Sequence, residues 1–259
     1  MEDKILLLDK PVSLTPHQAI ENFRALQPKY KNVKLGYAGR LDPMAEGLLL
    51  VLVGEENKFK KKYEDLSKVY EFTVLFGVKS DTLDILGLAQ KNAFPSWSVQ
   101  DGKNLSLFLK NLPGKKNQEY PAYSSKTVNG IPLYKWARED KLKKIKIPSH
   151  EISIKSIKLS KTSHITSTEL WIEINERIKP LKGDFRQEEI LEKWENILSI
   201  KSVFTLKYFT ISCSSGTYVR SIAREMGEFL HKDSLAYEIK RVSIGNYDLK
   251  DAFPIKKPA

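Results

Sequence analysis

The chain has 259 residues, enough to bury a sizeable core in one large or two modest domains. Its 43 Lys and Arg against 32 Asp and Glu leave a formal charge of +11, the electrostatic footprint of a polyanionic partner. The single cysteine, Cys213, excludes an internal disulfide, and no apolar run approaches the roughly 20 residues of a membrane helix.

Ile5 to Leu8 reads as a buried strand, after which Thr15 before Pro16 caps a helix carrying Ala19, Ile20, Phe23 and Leu26 on one face. Next comes LGYAGRLDPMAEGLLLVLVG, residues 35–54, with one carboxylate, Asp42, in a glycine-punctuated turn before the most apolar run of the protein. Pro43 pushes Asp42 toward extended or turn geometry, and Gly36, Gly39 and Gly47 allow tight turns or a close approach of a ligand. The pattern leaves two readings open: a helix N-cap followed by Pro43 at the first helical position, or a reactive acid.

Leu48 to Val53 is a second buried strand and Val69 to Phe76 an alternating third. Leu105 to Leu112 reads as a helix stopped by Pro113 and Gly114; Pro132 starts another through LYKWARE. Ile152 to Leu159 alternates as a strand, and Glu169 to Ile174, Val203 to Ser212 and Leu235 to Ile244 add three strand candidates. Ile190, Leu191, Trp194, Ile197 and Leu198 recur at helical spacing. Gly216 and Thr217 open a helix that places Arg220 in its first turn, where a cation opposes the helix dipole by roughly 0.3 to 1 kcal/mol. Strands outnumber helices, which predicts an α+β fold with a mixed, mostly antiparallel sheet and flanking helices. His17, His150, His164 and His231 lack metal-ligand spacing, so no metal is expected. The N-terminus lacks a signal-peptide pattern, and the expectation is a soluble, cytoplasmic protein.

The 35–54 segment resembles the catalytic motif of the TruB-type tRNA pseudouridine-55 synthases, G-H-T/A-G-T/A-L-D-P-x-A-x-G-x-L followed by an apolar strand and G-E-A-T-K. The match runs through Gly36, Gly39, Leu41, Asp42, Pro43, Ala45, Gly47 and Leu48, then Gly54, Glu55 and Lys58. Further blocks agree in order: Lys10 and Pro11 near the N-terminus, KVYEF with Tyr70, SDTLDILG, YPAYSSKTVNGIPLYKWARED, and CSSGTYVRSIAREMG. The resemblance covers roughly residues 5 to 247 and implies the pseudouridine synthase fold over 1–259. Residues 160–202 depart from it and are expected to be an insertion, more a packing embellishment than an RNA contact, because its apolar positions are periodic and its charges mixed. The C-terminal PUA domain of many relatives is expected to be absent.

The resemblance further implies isomerisation of the T-loop uridine at position 55, with Asp42 acting on the ribose and no cofactor. Arg220 would pair with Asp42, and Tyr70 would stack on the base, with its hydroxyl or a nearby water serving the C5 proton. Ile239 would wall the uracil pocket, with Lys10, Pro11 and Tyr218 supporting it. Tyr37 stands where relatives carry histidine and Arg40 where they carry a small residue. Asp81 and Asp84 are assigned a structural turn role. The implied partner is the T stem-loop of tRNA, bound by a monomer. A non-catalytic tRNA-binding folding or assembly factor is the alternative.

Overall fold

The computed structural model describes residues 4–91 and 97–256. The first third of the chain forms β1 (Ile5–Lys10), α1 (Pro16–Leu26), β2 (Leu35–Ala38), β3 (Ala45–Val53), α2 (Lys60–Glu64) and β4 (Lys68–Phe76). The middle holds a hairpin of β5 (Lys79–Ser80) and β6 (Ala89–Gln90), then α3 (Val99–Asn111) and β7 (Gly114–Glu119). A second hairpin of β8 (Thr127–Val128) and β9 (Ile131–Pro132) leads into α4 (Leu133–Arg138). The rest comprises β10 (Ser149–Thr166), α5 (Ser167–Ile178), α6 (Gln187–Leu198), β11 (Val203–Cys213), α7 (Val219–Phe229), β12 (Ser234–Ile244), β13 (Tyr247–Asp248) and β14 (Phe253–Pro254).

Among the described residues one ten-stranded sheet follows the path β14-β1-β3-β12-β4-β11-β10-β7, with β2 on β3 and β13 on β12. Its pairings are antiparallel except β1 with β14 and β3 with β12. The expected α+β fold with a mixed, mostly antiparallel sheet is therefore what the chain adopts. The near-continuous apolar run of β3 follows from burial on both faces. Leu49, Val51 and Val53 point to the side of α1, against Ala19, Ile20 and Phe23; Leu48, Leu50 and Leu52 point the other way, toward Tyr63 and Ile244. Helix α1 starts at a capping box: the Thr15 hydroxyl accepts from the Gln18 amide, and the Gln18 side chain accepts from the Thr15 amide.

Farther along the sheet the two faces are covered by different parts of the chain. Val74 and Phe76 of β4 meet Ile222, Ala223 and Met226 of α7 and Leu105 of α3. Leu75 of the same strand faces a cluster built from α5 and α6, with Leu170, Ile174, Ile190 and Trp194. The 160–202 segment thus buries a sheet face that would otherwise lie open, and the helix expected from Ile190, Trp194 and Leu198 is α6. Glu169 to Ile174 is helix, not the expected strand. ELWIEI is a short apolar run with β-branched and aromatic residues, but Thr166 and Glu169 form a capping box, and Leu170, Ile174 and Ile178 then recur every four residues on the buried face.

Trp194 is fully buried and its indole N–H donates to the Ile85 carbonyl at 3.1 Å, stitching α6 to the loop between β5 and β6. Trp194→Ala would leave a large void and an unpaired carbonyl, a loss of about 4 kcal/mol expected in urea denaturation. A loss under about 1 kcal/mol would show that α6 is not integral to the core.

Candidate active site

Asp42 caps no helix. Pro43 and Met44 form a turn that leads directly into β3, closed by the Ala45 amide donating to the Asp42 carbonyl at 3.0 Å. The cap reading fails because the residues after Pro43 are claimed by the sheet. Arg241, on β12, holds this turn from behind. Its fully buried guanidinium donates to the carbonyls of Leu48 at 2.8 Å, Gly39 at 3.0 Å and Arg40 at 3.3 Å. At Gly47 β3 lies tight against β12: its φ is +98°, and a Cβ there would lie 2.4 Å from the Arg241 carbonyl oxygen. A side chain is excluded on both counts.

Arg220 enters from the first turn of α7, and its Nε lies 2.8 Å from Oδ2 of Asp42 and 3.7 Å from Oδ2 of Asp84. The charge of Asp42, then that of Asp84, holds the guanidinium in its charged form against the cost of burial. Direction is supplied by two backbone carbonyls: Nη1 donates to Thr82 and Nη2 to Tyr123 at 3.2 Å. The Arg220 side chain is 4% exposed while that of Asp42 is 34% exposed, so the acid faces the cleft and the cation stands behind it. Asp84 is buried, accepting from the Thr82 hydroxyl at 2.7 Å and the Leu86 amide at 3.0 Å. Burial pushes its carboxyl up to about 6, against the pull of Arg220 and the Thr82 hydroxyl. Asp84 therefore has the expected turn role and, in addition, a place beside the guanidinium.

The cleft encloses about 720 Å³. Asp42, Arg220, Tyr70, Tyr218, Ile239, Tyr37 and Arg40 all line it. Lys10 and Pro11 do not; they are buried behind the wall, with Lys10 Nζ donating to the Pro11 and Leu14 carbonyls at 2.9 and 2.8 Å. Burial lowers Lys10 to about 7 even though Asp42 pulls the other way. Tyr70 sits across the strand pair from Arg241, and burial raises its hydroxyl above the ordinary value. Tyr218 precedes α7 and is fixed through its backbone by buried Gln118, with bonds of 2.8 and 3.2 Å. Burial, then the charge of Asp42, raises its phenol to about 12. Arg40 is exposed at the rim, and the ammonium of Lys60 lies 5.6 Å from the Tyr37 ring centre.

Sequence reasoning missed Arg241, Thr82 and Tyr123. Arg241 had a signal, since it lies two residues beyond Ile239 on one strand and so shares its face. Thr82 and Tyr123 contribute carbonyls, which side-chain patterns do not reveal.

Residues 26–183 match the family described as TruB family pseudouridylate synthase (N terminal domain). The chain is 34% identical over 253 residues to tRNA pseudouridine synthase B of Caldicellulosiruptor saccharolyticus, covering 97% of this chain and 70% of that protein. It is 28% identical to tRNA pseudouridine synthase B of Geobacter sulfurreducens, with coverage of 98% and 68%. The fold is shared with a solved Cbf5-Nop10-Gar1 complex at a TM-score of 0.57 and 15% identity, over 97% of this chain and 52% of that one.

Removing Arg220 would leave a buried acid beside Asp42 without a counter-charge. Arg220→Ala is expected to lose about 3 to 5 kcal/mol in urea denaturation at pH 7, and an unchanged midpoint would contradict the pairing. Asp84 supplies a pH test. It binds its proton up to about pH 6 in the fold against an ordinary value of 3.8, so the native state holds more protons between the two. Its contribution to stability is full below the lower value and lost as pH rises through the upper one. Over that window wild type should lose stability relative to Asp84→Asn; a difference flat with pH would contradict the assignment.

Proposed function

The chain belongs to the TruB family of pseudouridylate synthases, and we propose that it isomerises the T-loop uridine at position 55 of tRNA to pseudouridine, with Asp42 as the acting carboxylate. The observation that carries this reading is a partly exposed acid, backed by a buried guanidinium, at the base of a cleft of about 720 Å³. That volume lies within the range of small-molecule sites and admits one nucleoside.

The reaction breaks the bond from N1 to C1′, turns the retained uracil, joins C5 to C1′ and takes the proton from C5 while N1 gains one. The product is an isomer, so no oxidant or energy donor is consumed. A uridine inside a folded loop hides its C1′, and the nucleotide leaves the stack at a cost of a few kcal/mol. Asp42 then meets the ribose, held in place by its ion pair with Arg220. Tyr70, kept neutral by burial, stacks on the uracil, and its hydroxyl relays the C5 proton, giving up its own proton to water as it takes that one. Ile239 forms the apolar wall, and Tyr218 closes the side nearest Asp42. At the rim, Tyr37 fills the vacated place in the stack and Arg40 meets the phosphate backbone. Lys10 and Pro11 support the wall from behind.

Wild type incubated with unmodified T-stem-loop RNA should form pseudouridine without additives, and Asp42→Asn should be slower by about a thousand-fold or more while binding the RNA with a similar salt slope. No product from wild type, or equal product from the variant, would overturn the reading. Binding without turnover in both would point to a tRNA-binding factor instead.

A further inference from the structure

Resting on that reading of the site, we propose that Arg186, in the segment between α5 and α6, is a positioning residue for the reaction. It clamps together the two loops whose carbonyls hold the Arg220 guanidinium. Those carbonyls belong to Thr82 and Tyr123, which come from separate loops far apart in sequence. Arg186 touches both loops. Its Nη2 lies 2.9 Å from Oδ2 of Asp81, the residue before Thr82, and its guanidinium carbon lies 4.8 Å from the ring centre of Tyr123. Burial and the nearby charge of the same Asp81 carboxylate push the Tyr123 hydroxyl up to about 12. That carboxylate is also fixed by the Leu88 amide, which donates to Oδ1 at 2.7 Å. One planar cation thus ties an acid and an aromatic face into a single unit, the geometry to which arginine is suited and lysine is not.

Local chemistry gives no reason for an arginine here. Arg186 precedes the first turn of α6, where a cation opposes the dipole, and its φ of +62° lies in the left-handed region that side chains disfavour. Side-chain bonds hold the backbone there: Gln187 accepts from the Phe185 amide at 2.9 Å and donates to the Gly183 carbonyl at 2.7 Å. Asp184 takes both terminal nitrogens of Arg138, at 2.9 and 3.1 Å. Arg138 and Asp184 line the cleft together with Arg186. The 160–202 segment, which we read as an insertion, therefore reaches the wall of the site as well as packing under the sheet.

The test is single-turnover pseudouridine formation on T-stem-loop RNA by wild type, Arg186→Ala, Arg186→Lys and Asp81→Asn, with RNA affinity and melting temperature measured in parallel. The expected result for Arg186→Ala is a chemical step slower by about ten-fold or more with RNA affinity within about three-fold of wild type. Arg186→Lys should restore only part of the rate, because it keeps the charge without the planar fork. Asp81→Asn keeps an acceptor for Leu88 and should be as slow as Arg186→Ala, with the double variant no slower than either alone. Equal rates in wild type and Arg186→Ala would overturn the proposal, as would additive defects. A loss of RNA affinity with an unchanged chemical step would also overturn it and make Arg186 a direct RNA contact. If Arg186→Ala does not fold, Arg186→Lys and Asp81→Asn carry the same comparison. A wild type that forms no pseudouridine would sink the functional reading, and this inference with it.

Discussion

A single guanidinium, withdrawn almost wholly from water between two carboxylates, is the constraint on which this molecule turns. Burying an arginine and an aspartate costs several kcal/mol each unless charge and hydrogen bonds replace the lost hydration. Here Arg220 recovers that loss from Asp42, Asp84 and the carbonyls of Thr82 and Tyr123. The arrangement is unequal. Asp84 has its own donors and is sealed in, whereas Asp42 is open to the cleft. The same cation therefore stabilises one acid as structure and presents the other for chemistry.

The sheet makes that presentation possible. β3 and β12 run parallel at its centre, and only a glycine at position 47 lets them approach as closely as they do. Arg241 sends its guanidinium from β12 to three carbonyls on either side of the Asp42 turn, those of Gly39, Arg40 and Leu48. The turn is thus fixed from the sheet side by one arginine and countered from the helix side by another. Neither could be replaced by lysine, which lacks the fork needed to reach several acceptors at once. The sheet face opposite α7 is closed by α5 and α6, so the 160–202 segment has a reason to exist in the core whatever its loop does at the cleft.

Much of this was legible where local chemistry decides the outcome. The Thr15 capping box and the doubly buried β3 follow from neighbours within a few residues, whereas the turn at Asp42 was decided against a helix cap only by the sheet that claims the residues after Pro43. The pairing of Arg220 with Asp42 was legible only through resemblance, because the two are 178 positions apart in sequence and no periodicity links them. Glu169 to Ile174 misled because a short apolar run satisfies strand and helix alike, and the deciding cap lay just upstream. Asp84 looked like a turn residue, and is one; its second partner became visible only when α7 had folded against its loop. Backbone acceptors such as Thr82 and Tyr123 leave no trace in residue identity at all.

A double-mutant cycle in folding stability at pH 7, built from Asp42→Asn and Arg220→Met, bears most directly on the central claim. Removal of the acid should matter much more in the presence of the guanidinium than in its absence, with a coupling of about 2 kcal/mol or more. Effects that add to within about 0.5 kcal/mol would mean that the two groups do not sense each other, and the account of how Asp42 is held would be wrong.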